Sequence, residues 1–165
     1  MFHSSLTVKY KTLLIDAILV LLVLVLPIIA HITSIPFYIF DPMRLSVLGV
    51  YLLLRNKGNA LVLAIALPTL SFLISGHPIF IKNILISIEL IINVLIIDRL
   101  LYHNYNAFAS AMISIIVSKV LYYILKAALI YYNVLPVILI DTSILLQLVV
   151  TIIISIIFSR YYRFE

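Results

Sequence analysis

Lys82, Glu89 and Asn93 follow one another at intervals of seven and four in an otherwise apolar run, IKNILISIELIINVLIID. At about 100° per residue they share one narrow helical stripe, while the opposite face is Ile, Leu and Val. An ionisable group in a segment of hydrocarbon length costs about 3 kcal/mol or more unless it faces a protein interior or a wet cavity. The stripe therefore reads as the wall of a pocket. A second apolar run carries Lys119 and Lys126 seven residues apart, hence on one face, with Tyr122 and Tyr123 between them. Glu89 and Lys119 both fall near the middle of their segments, where pairing would reduce the cost of burying either charge. Two readings stay open for them, a structural ion pair or contacts to a ligand. His31, Asp41, Arg44, His77 and Asp141 collect at the ends of neighbouring segments. His77 could equally bond the local backbone of its corner, and the two tyrosines could be ordinary helix packing.

Catalytic patterns are absent from this set. The chain has no HExxH and no GxSxG, and with no cysteine it has neither a Cys–His pair nor a disulfide. Glycine occurs only at 49, 58 and 76, so no glycine-rich loop can cradle phosphates. His31, His77 and Asp41 lie in separate connections without a ligand spacing. No enzymatic activity, cofactor or metal is expected.

The elements that must hold these side chains follow from composition. Of 165 residues, 65% are hydrophobic and 10% charged, and the mean hydropathy is +1.30. No soluble domain of this size buries that much apolar surface, so the chain reads as an all-α, polytopic membrane protein of one domain, residues 1–165. Apolar periodicity places six spans at about 13–30, 42–54, 59–74, 79–101, 107–129 and 137–158. The first apolar run lacks a small-residue cleavage site and is followed by further spans, so it is expected to be retained. Asp16, near its start, is expected to pair with a neighbouring lysine. The connection from His31 to Asp41 holds three aromatics and Pro36, too apolar for a solvated loop, and reads as a lid. Pro42 suits a first helical position. Ala60, Ala64 and Ala66 offer a surface for close helix approach. In the sixth span Ser143, Gln147, Thr151 and Ser155 step by four along one slowly turning face.

The net charge of +5 raises the possibility of nucleic acid, but the basic residues sit at segment ends instead of forming a stripe. With the N-terminus inside, Lys9, Lys11, Arg55, Lys57, Arg99, Arg160 and Arg163 share one side, and only Arg44 and Lys82 lie towards the other. That bias places both termini in the cytoplasm of a multi-pass protein of the plasma or inner membrane. Polar groups of three helices then gather at the outer side.

Three stretches, FDPMRLSVLGVYLLL, NALVLAIALPTLSFLISGHP and ISIELIINVLI, resemble the substrate-binding S-component of bacterial energy-coupling factor (ECF) vitamin transporters. The matching features are Pro42-Met43 before a short second helix, Pro68 to Ser71 ahead of the Gly76 to Pro78 corner, and Glu89-Leu90 in the fourth helix. The likeness covers roughly Leu26 to Leu101, and the last two helices agree in number and character. It implies a six-helix bundle that takes a small vitamin-like molecule from outside, with the first outer loop as lid. It also implies a transmembrane coupling subunit and two ATPase subunits as partners, which would supply the ATP chemistry. The first helix departs from the family, with the single alanine of Ile15 to Leu21 where Ala-x-x-x-Ala usually meets the coupling subunit.

The expected substrate contacts are His31, Arg44, His77, Lys82, Glu89, Tyr122, Lys126 and Asp141. With lysines at its mouth the pocket would suit an anionic group, a carboxylate or a phosphate. Lys119 is expected to be the partner that keeps Glu89 stable, and Lys126 to reach water. The alternative is a scaffold protein of the bacterial cell-shape machinery, similar in length and helix count and needing no ligand.

Overall fold

The structure is a computed structural model that describes residues 10, 13–18, 20–21, 25, 40–75, 80–136, 139–140 and 143–162. Regular structure among these residues is helical, with no strand. Five helices have defined bounds: α1 Pro42–Leu54, α2 Lys57–Ser75, α3 Phe80–Tyr102, α4 Ala107–Tyr131 and α5 Ile144–Tyr161. They correspond to the second to sixth expected spans. Residues 13–18, 20–21 and 25, within the first, are helical too.

Local chemistry explains where the helices begin and end. Asp41 precedes α1 in the left-handed region (φ 51°), and Pro42 takes the first helical position, where no backbone donor is needed. Arg55, again left-handed at φ 50°, closes α1 with its N–H on the Tyr51 carbonyl. One residue later Asn56 accepts from the Asn59 N–H at 3.2 Å and starts α2. Asn106 caps α4 in the same way, accepting from the Phe108 N–H at 2.8 Å. Pro68 inside α2 removes one backbone donor, and the next residue, Thr69, donates its hydroxyl to the Ile65 carbonyl at 2.8 Å.

α3 lies between α2 and α4, α5 packs on α4, and α1 rests against α2, α3 and α5. The close approaches use small side chains. Ala60 and Ala64 of α2 are fully buried, as expected, while Ala66 is half-buried. The unforeseen counterpart is α4, where Ala107, Ser110, Ala111, Ser114 and Ser118 form one buried face. Leu90, Val94, Ile97 and Leu101 of α3 complete the core with Val47 and Val50 of α1 and Ile154 and Phe158 of α5. The outward faces of α4 and α5 are continuous Ile, Leu and Val, a contiguous apolar surface that water does not favour.

Among the described residues three helices are long and apolar enough to cross a membrane: α3 with 23 residues, α4 with 25 and α5 with 18. α1 has 13 residues, about 20 Å at 1.5 Å each, against a hydrocarbon layer of about 30 Å.

One expectation changes. The last helix starts at Ile144, not 137, since Leu139, Ile140 and Ser143 are non-helical. The stretch Asp141-Thr142-Ser143 consists of residue types that favour a helix boundary over its interior. Asp16 accepts a hydrogen bond from Asn59 Nδ2 at 2.8 Å, and Lys9 and Lys11 lie outside the described residues.

Candidate functional site

The stripe on α3 faces inward. Glu89 is 7% exposed and Asn93 fully buried, with Asn93 Nδ2 donating to Ser114 Oγ of α4 at 3.1 Å. The cation nearest Glu89 is Arg44, in the first turn of α1, whose Nη2 donates to Glu89 Oε1. Arg44 is 1% exposed, so its guanidinium is shut away from solvent. Its Nε lies 3.3 Å from Asp41 Oδ2, close enough for charge pairing but not aligned as a hydrogen bond. Lys119 of α4 completes the group, 3.6 Å from Asp41 and 3.8 Å from Glu89. Two carboxylates and two cations from three helices thus form one cluster. Lys119 belongs to it as the outer, part-exposed member, and Arg44 takes the place expected of it beside Glu89.

This cluster floors an open cavity of about 500 Å³. The first turn of α1 contributes Asp41, Pro42 and Met43; α3 contributes Lys82, Ile86 and Glu89. Opposite them stand Lys119, Tyr122, Tyr123 and Lys126 of α4, with Gln147 of α5. Lys82 is near the start of α3 and Lys126 near the end of α4, so both mark the same end of the bundle. Lys126 is 5% exposed, more enclosed than the water-reaching position expected, and its Nζ lies 6.0 Å from the centre of the Tyr122 ring. Tyr123 and Gln147 hydrogen-bond through hydroxyl and amide at 2.7–2.9 Å.

Behind the Tyr123–Gln147 contact a second hollow of about 350 Å³ runs along the seam of α4 and α5. Ile116 and Val120 line it on one side, Ile144, Leu148 and Thr151 on the other, with Leu139 and Ile140 at one end. Lys119, Tyr123 and Gln147 belong to both hollows. Of the step-by-four residues expected on α5, Gln147 reaches the cavity, whereas Thr151 and Ser155 are buried and donate to the carbonyls of Gln147 and Thr151.

Elsewhere along the bundle, nearer the other end of α3, Asp98 accepts from the Tyr51 hydroxyl at 3.1 Å and from Lys57 Nζ at 2.9 Å. The Arg55 guanidinium lies 3.9 Å over the Tyr162 ring, which stacks on Phe158. These contacts tie α1, α2, α3 and α5 together away from the cavity.

Of the residues expected to bind substrate, Lys82, Glu89, Tyr122 and Lys126 line the cavity. Arg44 sits behind its wall, and His31, His77 and Asp141 lie outside the described residues, as does the lid up to residue 39. Tyr123, Gln147 and Asp41 line the cavity without having been expected as contacts, and Lys119, for which pairing and ligand contact both stayed open, lines it too. Lys119 and Tyr123 share a sequence face with Lys126, which is the signal that places them at the cavity. Among the described residues no group of three His, Asp or Glu is placed to hold a metal. The cavity can bind and orient a small polar molecule, and its described charged lining is three lysines against two carboxylates.

Comparison with family models, with curated proteins and with solved structures gives no match.

Proposed function

We propose that the chain is the substrate-binding subunit of a small-molecule uptake transporter, of the kind represented by the S-components of ECF transporters. In this reading it is a six-span protein of the bacterial plasma membrane with both termini cytoplasmic. It captures a small, anionic, vitamin-like molecule from outside, and partner subunits, a transmembrane coupling protein and two ATPases, supply the energy. The observation that carries the reading is the cavity of about 500 Å³ walled by Lys82, Glu89, Lys119, Tyr122 and Lys126. Charged groups in apolar helices are costly, and gathering them around a hollow is the arrangement expected of a substrate site. Arg44 supports it from behind, holding the Glu89 carboxylate in place. A scaffold would have no use for such a lining.

The test is to purify the protein in mild detergent and identify small molecules released from it by mass spectrometry. The expected result is one anionic compound near stoichiometric amount, lost in Lys126→Ala. A preparation free of any bound compound, stably associated with cell-wall elongation proteins, would overturn the reading in favour of the scaffold.

A further inference from the structure

Three residues of the polar cavity's wall also line a second hollow. Lys119, Tyr123 and Gln147 line the cavity on one side and line the apolar seam of α4 and α5 on the other. The two hollows are unlike in chemistry. One is walled by lysines, carboxylates and tyrosine, the other by Ile116, Val120, Ile144 and Leu148. Val120 and Leu148 are about half exposed, at 53% and 48%, on the outward apolar surface of the bundle. A compact polar ligand would occupy the first hollow and gain nothing from the second. A molecule with an anionic head and an apolar tail matches both, with the head among the lysines and the tail along the seam.

We infer that the ligand is a single-chain anionic amphiphile, a carboxylate or phosphate on an alkyl or isoprenoid tail that lies between α4 and α5. This rests on the reading of the cavity as a binding site and narrows it to one chemical class. The Tyr123–Gln147 hydrogen bond stands at the join, where head gives way to chain. A ligand of this kind reaches the site from the bilayer side of the seam and needs no aqueous route for its tail.

The experiment uses the full chain in phosphatidylcholine nanodiscs and dodecyl phosphate carrying a diazirine at mid-chain. After photolysis, peptide mapping is expected to place the label on the α4–α5 seam around Val120 and Leu148. Unlabelled dodecyl phosphate should prevent labelling at a concentration at least tenfold below that needed for butyl phosphate, inorganic phosphate or dodecanol. Val120→Trp and Leu148→Trp, at exposed positions where folding tolerates bulk, should each reduce seam labelling at least fivefold; Lys126→Gln should abolish the advantage of dodecyl phosphate over dodecanol. Equal competition by butyl phosphate overturns the inference, because the tail then contributes nothing. Equal competition by dodecanol overturns it too, because the head is then idle and the seam merely shelters lipid chains. Either result leaves the uptake reading standing when a polar anion co-purifies. Absence of both seam labelling and any co-purified compound removes the two together.

Discussion

Replacing Arg44 by Met separates the two cations that surround Glu89. Arg44 is 1% exposed and donates to Glu89 directly, whereas Lys119 is 25% exposed and stands 3.8 Å away. Methionine keeps the apolar bulk of the side chain and removes the guanidinium, leaving Glu89 buried beside one distant amine. Losing one partner of a buried pair costs about 3–5 kcal/mol. Removing Lys119, a part-exposed partner whose charge is already screened, costs about 1 kcal/mol or less. At roughly 2–4 °C per kcal/mol for a chain of this size, Arg44→Met lowers the melting temperature by about 6–20 °C and Lys119→Met by about 4 °C or less. Thermal unfolding in detergent, followed by tryptophan-free far-ultraviolet circular dichroism, reads both. The double variant Arg44→Met/Glu89→Gln should regain about half of the loss or more, since no buried charge is then stranded. Equal losses in the two single variants, or no recovery in the double one, would refute the assignment of Arg44 as the principal partner.

Lys126→Ala is expected to weaken binding of the co-purified compound at least tenfold, measured beside the melting temperature. Ser114→Val puts a branched side chain into the buried contact with Asn93 between α3 and α4 and should cost about 1–3 kcal/mol in chemical unfolding. Asn106→Ala removes the cap of α4 and should cost about 1 kcal/mol in the same assay. Reporter fusions at Lys57, His77, His103 and Glu165 should read inside, outside, inside and inside; an external C-terminus would break the six-span topology.

The sequence carried much of this arrangement in its periodicity. The inward stripe of Glu89 and Asn93 was legible because charged and amide groups repeat at helical spacing in an apolar background, and Lys82, Tyr122 and Lys126 were legible for the same reason. Arg44 as the nearest partner of Glu89 was not, although Lys119 pairs with Glu89 as expected, at 3.8 Å. Arg44 lies 45 residues away in sequence, and its reach depends on how deeply α1 enters the bundle. That depth is set by the packing of Val47, Val50 and Tyr51, which no single-helix pattern encodes. That Tyr123 and Gln147 would meet was not legible, because their contact depends on the register between α4 and α5. The start of α5 was misplaced because Val137 to Ile140 is as apolar as a helix interior, and hydrophobicity alone does not mark where a helix begins.

The shortness of α1 has an electrical consequence. Its first turn meets α3 at Glu89, nine residues or about 14 Å from the start of that helix, and Tyr51 meets it again at Asp98. A water-filled cavity reaching Glu89 brings bulk solution to the head of α1, so a transmembrane voltage falls across about 20 Å there instead of about 30 Å. The local field is then roughly half again as steep as in plain bilayer. An anion resting among Lys82, Lys119 and Lys126 sits at the edge of that drop, and carrying one charge through all of it involves about 2.3 kcal/mol per 100 mV. Occupancy of the cavity should therefore barely respond to the polarisation of the membrane, whereas onward movement of the anion past α1 should feel nearly all of it.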